Sequence, residues 1–309
     1  MSVSVNIQNV TKTFGEKITA LNDISLQISA GELYGFIGPD GSGKTTLFRI
    51  LTSLLLPTSG SVMIGDLDIV KDYKKIRKIT GYMPGRFSLY GDLTVQENLN
   101  FYASIFNTSV KENYDLIKDI YSHIEPFKNR KAGALSGGMK QKLALSCALI
   151  HKPSILLLDE PTTGVDAVSR QEFWELLKKM QQKDITILVS TPYMDEASLC
   201  DRVALMQNGN LLAVSKPEQI INQFNGKLYA VQTNNMHTLV RDLEKIKAFS
   251  MVYRFGENVH VTDTMSSGNF KSELQHALNE SGHQDVLIKE IDPVIEDCFL
   301  ALMDKDQIR

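Results

Sequence analysis

The stretch GPDGSGKTT, residues 38–46, follows the apolar run LYGFIG and precedes LFRILTSLL, in which apolar residues recur at helical spacing. A strand, a glycine-rich loop and a helix in this order, with the spacing Gly-x-x-x-x-Gly-Lys-Thr, are typical of a P-loop. The glycines let backbone N–H groups turn toward phosphate oxygens, and the helix start adds its positive dipole end. Lys44 would reach the β- and γ-phosphates, and the Thr45 hydroxyl would bind Mg²⁺. The sequence therefore predicts a nucleotide site made of Gly38, Pro39, Asp40, Gly41, Ser42, Gly43, Lys44, Thr45 and Thr46.

Two acidic residues follow a second strand that reads as buried. The run ILLLDE, residues 155–160, would deliver Asp159 to the carboxyl end of that strand, where its carboxylate can hold Mg²⁺ through water. Glu160 comes next and is placed to polarise a water for attack on the γ-phosphate. We therefore expect Thr45 and Asp159 to hold the metal and Glu160 to be the catalytic residue.

A third motif, LSGGMKQ at residues 135–141, precedes the helical pattern KLALSCALI. Ser136 can cap that helix, and Gly137 and Gly138 expose backbone donors at its positive end. A Ser-Gly-Gly sequence is by itself most often a plain helix start. Between a P-loop and the acidic pair it predicts a second anion-binding element.

These three motifs resemble those of ATP-binding-cassette (ABC) ATPases. LSGGMKQ lies between the P-loop and the acidic pair along the chain, which is the signature position. The resemblance covers residues 1–222, and residues 163–166, TGVD, match the D-loop. Phe14 matches the aromatic residue that stacks on adenine in this family, the alternative being a core phenylalanine. The segments RFSLYGDLTVQENL, STPYMDEA and DPVIEDCFLAL resemble the cassettes of type-2 (daunorubicin-resistance-like) drug exporters.

The resemblance implies a head-to-tail dimer with two ATP molecules held between the subunits. Each ATP, with Mg²⁺, would touch Lys44 and Thr45 of one chain and Ser136 to Gly138 of the other. Opening and closing of the dimer would drive a separate membrane-spanning transporter subunit, docked near residues 85–100. The chain would then be a peripheral protein at the cytoplasmic face of the inner membrane.

Two positions depart from the family pattern. GYMPGRFSLY has Gly85 where the family has the Q-loop glutamine, and ILVSTPYMDEA has Pro192 where it has the H-loop histidine. Proline offers neither a polar side chain nor a backbone N–H to a γ-phosphate. Because the signature is intact while this P-loop lacks both partners, the pattern favours a heterodimer with a complete second cassette over a homodimer with two slow sites.

None of the six histidines can replace the missing H-loop histidine without a different fold of the loop. The histidines are His123, His151, His237, His260, His276 and His283. We expect His151, in a turn before the second buried strand, to be structural, and the four beyond residue 230 to be exposed.

The composition of the chain argues against several classes of partner and of site. The 309 residues carry 33 Lys and Arg against 36 Asp and Glu, a net charge of −3, so the basic excess of a nucleic-acid-binding protein is missing. The cysteines Cys147, Cys200 and Cys298 are far apart and odd in number, which argues against a disulfide framework and a zinc site. Every apolar run falls short of the ~18 residues that span a bilayer. Any membrane role is therefore expected to come through a partner.

Two other functions stay open. The chain could be a nucleotide-gated binding module without turnover, which Gly85 and Pro192 allow. It could also be a soluble cassette acting on DNA or the ribosome, but the segment between P-loop and signature leaves no room for a long coiled coil, and the chain has one cassette rather than two.

The predicted fold is α/β: a P-loop ABC cassette over residues 1–224, with a parallel sheet and a helical subdomain at about 84–152. Residues 225–309 form a smaller α+β accessory domain in this prediction. Its order is strand-helix-strand-strand-helix-strand, the ferredoxin-like unit, followed by a last helix from Pro293. The expected strands are 227–233, 249–255, 257–262 and 285–291, and the expected helices are 236–247 and 269–281.

Overall fold

The chain divides into two units, Met1–Pro217 and Glu218–Arg309, each with its own hydrophobic core. The computed structural model describes residues 2–15, 18–246, 250–263 and 269–307. The strands, in chain order, are β1 Val5–Phe14, β2 Ile18–Ile28, β3 Leu33–Ile37, β4 Ser59–Ile64, β5 Leu67–Asp68, β6 Thr80–Met83, β7 Ile155–Asp159, β8 Thr186–Thr191, β9 Arg202–Gln207, β10 Asn210–Ser215, β11 Lys227–Gln232, β12 Ser250–Phe255, β13 Asn258–Asp263 and β14 Leu287–Ile291. The helices are α1 Lys44–Leu51, α2 Tyr73–Ile79, α3 Val95–Ile105, α4 Tyr114–Tyr121, α5 Gly137–Leu149, α6 Ala167–Gln181, α7 Pro217–Asn222, α8 Met236–Glu244, α9 Phe270–Glu280 and α10 Ile295–Gln307.

The sheet that carries the P-loop has the strand order β10-β9-β3-β8-β7-β6. Its neighbours pair in parallel, except that β10 is antiparallel to β9. Every residue of β3 and β7 is buried, which explains the unbroken apolar runs LYGFI and ILLLD. Because parallel strands end at the same edge, the loops after β3, β7 and β8 lie side by side. The predicted parallel sheet is confirmed.

A separate antiparallel sheet, of order β2-β1-β4-β5, forms from strands near the N-terminus. The sequence pattern predicted strands there but not that they leave the parallel sheet. Their pairing is non-local: Val5 of β1 lies opposite both Ile28 of β2 and Ile64 of β4. Such register depends on packing of the whole sheet, which a local alternation of apolar residues does not specify.

The predicted helical segments after residue 91 are present as α3, α4 and α5. Thr94 begins α3 with a capping box: its hydroxyl accepts from the Glu97 N–H at 3.2 Å, while the Glu97 carboxylate accepts from the Thr94 N–H at 2.7 Å. The amide of the buried Asn98 bonds Tyr90 N and O, each at 3.0 Å, and Thr94 O at 2.9 Å. These bonds hold the loop before α3 against the helix.

The second unit has the strand order β12-β13-β11-β14, with every neighbouring pair antiparallel. Together with α8 after β11 and α9 after β13, this is the predicted ferredoxin-like arrangement. Leu239 and Leu243 of α8 share one core with Leu274 and Leu278 of α9. Lys247 and Phe249, which the sequence pattern assigns to a helix and a strand, lie outside the described residues.

The expectation that the histidines of the second unit are exposed is wrong for two of the four. His260 Nδ1 lies 2.8 Å from Asp297 Oδ1, and His283 Nδ1 lies 3.1 Å from Thr233 Oγ1; both rings are buried. Tyr253 also donates to Asp297. Burial by itself raises the pKa of the Asp297 carboxyl, but hydrogen bonds from His260, Tyr253 and the Val294 N–H lower that pKa overall. These partners come from other elements, so the local sequence does not reveal them.

We expect a chain cut after residue 224 to bind ATP within about tenfold of the full-length affinity. The first unit keeps its own core, and the P-loop lies entirely within it. Titration of both proteins with a fluorescent ATP analogue checks this. A truncated protein that is folded by circular dichroism but has lost binding contradicts it.

No helix in the described ranges combines the length and the apolar character that crossing a membrane requires.

Candidate nucleotide-binding site

The P-loop runs from the end of β3 into α1. It needs glycine at the two positions where its backbone lies against the backbone of β9 and of β2. At Gly38, an added Cβ would lie 2.2 Å from the carbonyl oxygen of Met206 in β9. Gly43 has a φ of +103° and would place a Cβ 2.5 Å from Ala20 O. Close approach and left-handed backbone together therefore account for the loop glycines.

Lys44, the first residue of α1, turns its side chain back under the loop. Its Nζ donates to Gly38 O at 2.6 Å and to Pro39 O at 2.9 Å, and lies 3.8 Å from Glu160 Oε1. Burial lowers the pKa of Lys44, while the carboxylates of Glu160, Asp40 and Asp159 act in the opposite direction. An ammonium has three donors, so one remains for a ligand in the loop.

The metal residues predicted from sequence meet at the end of β7. Thr45 Oγ1 donates to Asp159 Oδ1 at 3.2 Å, so the lone pairs of the hydroxyl stay available to a cation. A hydroxyl and a carboxylate are the hard oxygen ligands that Mg²⁺ takes. This pair of groups fits a magnesium ion bound together with nucleotide phosphates.

Glu160 follows Asp159 directly and has a φ of +50°, which turns the chain out of the strand. Its N–H donates to Ser190 O at 3.0 Å, and Thr163 Oγ1 donates to its Oε2 at 3.4 Å. Burial raises the pKa of the Glu160 carboxyl, and Lys44 opposes that rise. A carboxylate with a raised pKa is a better proton acceptor, as a general base requires.

A pocket of about 280 Å³ lies over the loop and fits phosphate groups. Ser42 Oγ is buried in the loop without a hydrogen-bond partner among the described residues, and the first N–H groups of α1 have no acceptor within the helix. The lining residues are Ala20, Asp40, Gly41, Ser42, Gly43, Lys44, Thr45, Thr46 and Glu160. Ala20, on β2, was missed by the sequence analysis because only the tertiary fold brings that strand to the loop.

Comparison with known proteins agrees with this geometry. The family profile described as ABC transporter matches residues 21–163. Nod factor export ATP-binding protein I of Rhizobium sp. (strain N33) is 30% identical over 308 residues, 98% of each chain. The chain belongs to the ABC transporter family.

Other relatives of this ABC protein differ in length. The probable multidrug ABC transporter ATP-binding protein YbhF of Escherichia coli (strain K12) is 37% identical over 306 residues, which are 97% of this chain and 52% of YbhF. The chain therefore spans about half the length of that relative.

Among solved structures, the dimeric cassette MJ0796 bound to ADP and Pi is 31% identical, with a TM-score of 0.62 and coverage of 69% of this chain and 98% of MJ0796. The cbiO1 protein of Clostridium perfringens is 26% identical, with a TM-score of 0.65 and coverage of 72% and 92%.

The ABC signature forms a helix start apart from the P-loop pocket. Ser136 caps α5, where its Oγ accepts from the Met139 N–H at 3.4 Å, and both Ser136 and Gly137 are exposed. Gly138 packs so closely on α6 that a Cβ would lie 2.7 Å from Ser169 Oγ. Among the described residues that line the pocket, none comes from the signature.

Phe14 ends β1 and is 43% exposed, so it is not the core phenylalanine of the alternative reading. Lys12 Nζ lies 5.1 Å from the centre of its ring. Phe14 does not line the phosphate pocket, and adenine stacking stays a prediction.

The two departures from the ABC pattern lie at the same sheet edge. At Gly85, a Cβ would lie 3.1 Å from Asp159 O and 3.7 Å from the Glu160 Cβ, so the Q-loop backbone approaches the acidic pair closely. Pro192 directly follows β8, whose last residue, Thr191, accepts the Gly38 N–H at 3.2 Å. Both substitutions therefore remove polar side chains from positions beside the P-loop.

One buried residue of this edge, Ser190, was missed by sequence reasoning. Its hydroxyl lies 2.6 Å from Asp159 Oδ1 and 3.0 Å from Glu160 N. The available signal was that β7 and β8 are both apolar strands ending in polar residues, which places those residues side by side if the strands are neighbours.

Proposed function

We propose that this chain is the ATP-binding and ATP-hydrolysing subunit of an ABC exporter, coupling nucleotide-driven dimer closure to transport by a separate membrane subunit. The observation that carries the proposal is that Lys44, Thr45 and Glu160 line one pocket and that the buried Asp159 is bonded to Thr45, while an intact signature stays exposed elsewhere. The names of the relatives, multidrug transporter and Nod factor export proteins, support export as the direction.

In this proposal the residues at the pocket have roles that their positions support, and Phe14 has the role that the family resemblance implies. The P-loop amides and Lys44 bind and orient the phosphates of ATP, Thr45 and Asp159 hold the cation, and Phe14 stacks on the adenine. Bound Mg²⁺ would supply neutralisation of phosphate charge. Glu160 accepts the proton of the attacking water, a role that its raised pKa supports.

The exposed signature completes the site of a second cassette. Ser136, Gly137 and Gly138 present backbone donors at the N-terminus of α5. The positive end of the helix dipole there would stabilise the negative charge of a γ-phosphate bound by the facing subunit. ATP held between the two chains joins them, and its hydrolysis releases them, a population shift driven by ligand.

Hydrolysis at this chain's own P-loop is slow in this proposal. Loss of a charge-stabilising donor costs on the order of 10²–10³ in rate, and here both Gly85 and Pro192 lack one. Because the signature is complete, we favour a heterodimer whose second cassette has glutamine and histidine at these positions over a homodimer with two slow sites. Nucleotide binding without turnover is the second candidate function, and the same two residues favour it.

A mostly apolar groove of about 250 Å³ is the proposed docking surface for the membrane subunit. It borders the segment at 85–100 that the family resemblance assigns to that contact. His151 lies in it, stacked on Phe106 with ring centres 3.7 Å apart, and burial lowers the pKa of His151 to about 4, so the ring is neutral at physiological pH. The groove is lined by Thr52, Leu54, Arg77, Thr80, Tyr82, Met83, Pro84, Ser88, Leu89, Tyr102, Phe106, Ala144, Cys147, Ala148 and His151. Docking there would hold the chain as a peripheral protein at the cytoplasmic face of the inner membrane.

We expect Leu54→Glu to lower co-purification with the proposed membrane subunit by about tenfold or more, since it puts a charge against an apolar contact. Leu54 lines the groove and is 58% exposed. Leu287→Glu is the matched control, because Leu287 is 66% exposed and lies on β14 of the second unit. Equal co-purification of both variants with wild type would remove the groove from the proposal.

A further inference from the structure

Ser190 lies opposite Asp159 in the parallel pairing of β7 and β8, and both side chains are buried. Ser190 begins the segment STPYMDEA, two residues before Pro192, and the sequence motifs assign it no role. It nevertheless lies on β8 and contacts both acidic residues of the site.

The direction of its two hydrogen bonds is forced by chemistry. The Glu160 N–H can only donate, so Ser190 Oγ accepts there at 3.0 Å. A hydroxyl has one proton, and that proton is therefore available to Asp159 Oδ1 at 2.6 Å, the short distance of a charge-assisted bond.

Asp159 receives a second hydroxyl on the same oxygen. Thr45 Oγ1 donates to Oδ1 at 3.2 Å, and no described residue donates to Oδ2. Two donors on one oxygen fix the plane of the carboxylate and leave the other oxygen for a ligand.

We propose that Ser190 is a positioning residue for the Mg²⁺-nucleotide complex. It holds the Asp159 carboxylate through Oδ1, so that Oδ2 would be available to Mg²⁺ or to a water on it, and it keeps Thr45 and Asp159 in contact. The inference rests on the proposed nucleotide-binding function and adds a residue to it. Ser190 acts through Asp159 and does not itself touch the nucleotide.

Thr186 on the same strand provides a matched control. Its hydroxyl is equally buried and also makes two bonds, donating to Val3 O at 2.7 Å and accepting from Gly31 N at 2.9 Å. Neither partner belongs to the nucleotide site. Thr186→Val therefore removes a buried hydroxyl of the same strand without touching the acidic pair.

The test is the Mg²⁺ dependence of binding of a fluorescent ATP analogue to the full-length chain, with Mn²⁺ binding followed by electron paramagnetic resonance. For Ser190→Ala we expect the Mg²⁺ concentration for half-maximal binding, and the Mn²⁺ dissociation constant, to rise about tenfold, because a hydrogen bond to a charged group is lost. Binding in EDTA stays within about twofold of wild type. Ser190→Thr keeps the hydroxyl and is therefore expected to show the wild-type Mg²⁺ and Mn²⁺ dependence.

A Ser190→Ala protein with the wild-type metal dependence overturns the inference, as does an equal rise in Thr186→Val. Thermal melting identifies a variant that fails to fold. If Ser190→Ala does not fold, Ser190→Thr is compared with Thr186→Val instead. The inference then requires that Ser190→Thr binds Mn²⁺ with wild-type affinity, and weakened Mn²⁺ affinity in Ser190→Thr contradicts it. If wild type binds no nucleotide at all, the proposed function fails first and this inference with it.

Discussion

Ser136→Arg in this chain is expected to lower ATP turnover of the assembled transporter by at least about a hundredfold. Ser136 is exposed at the start of α5 and lies outside the chain's own phosphate pocket. In the proposed dimer the large arginine side chain blocks the γ-phosphate contacts of the other cassette's site. Steady-state phosphate release by the purified complex measures the effect.

Ser136→Ala separates this effect from damage to the helix. It removes the bond to the Met139 N–H, which as a helix cap is worth about 1 kcal/mol, but adds no bulk at the interface. Turnover well above that of Ser136→Arg is therefore expected. If the alanine variant is as inactive as the arginine variant, loss of the Ser136 hydroxyl explains both, and blockage by the arginine side chain is not needed.

The proposed asymmetric dimer predicts a second result in the same phosphate-release assay. Glu160→Gln in this chain should cost far less turnover than the matching change in the second cassette, because in the proposed heterodimer the site beside Gly85 and Pro192 is the slower of the two. Complete loss of activity from Glu160→Gln alone, or a purified complex that contains only this cassette, contradicts the asymmetric model.

The second large effect is expected for Gly38→Ala, which should weaken ATP binding by at least about a hundredfold. The added Cβ would lie 2.2 Å from Met206 O and 2.9 Å from Ser42 Oγ. The Met206 oxygen belongs to β9, which pairs with β3, so it cannot move away without disturbing the sheet. The loop must shift instead, and its amides lose their alignment on the phosphates.

Gly91→Ala is the control for that substitution. A Cβ at Gly91 would meet only ordinary contacts, the nearest at 3.7 Å, and Gly91 has no positive φ. Titration with a fluorescent ATP analogue and thermal melting compare the two variants. Equal affinities in Gly38→Ala and Gly91→Ala would show that the loop tolerates the extra carbon.

Elements whose signal is local were predictable from the chain alone. The P-loop is a run of consecutive residues between a strand and a helix, and Asp159 ends β7 with Glu160 directly after it. Ser136 was identified as the cap of α5, which its bond to Met139 N–H confirms. In each case the residues that make the feature lie within one turn or one strand end of each other.

Features that depend on distant partners were missed or misjudged. Ser190 reaches Asp159 only because β7 and β8 are neighbours in register. His260 was expected at the surface, yet Asp297 of α10 accepts its hydrogen bond in the interior. A buried polar side chain is tolerated only when a partner satisfies it, and that partner can come from anywhere in the chain.

The order of motifs along the chain was thus sufficient for the fold class, the phosphate-binding loop and the acidic pair, because periodicity and backbone preference act over a few neighbouring residues. The separate N-terminal sheet, the contact of Thr45 with Asp159 and the position of Ser190 required the folded chain. Strand register and the meeting of strand ends at one sheet edge arise from packing between residues far apart in sequence.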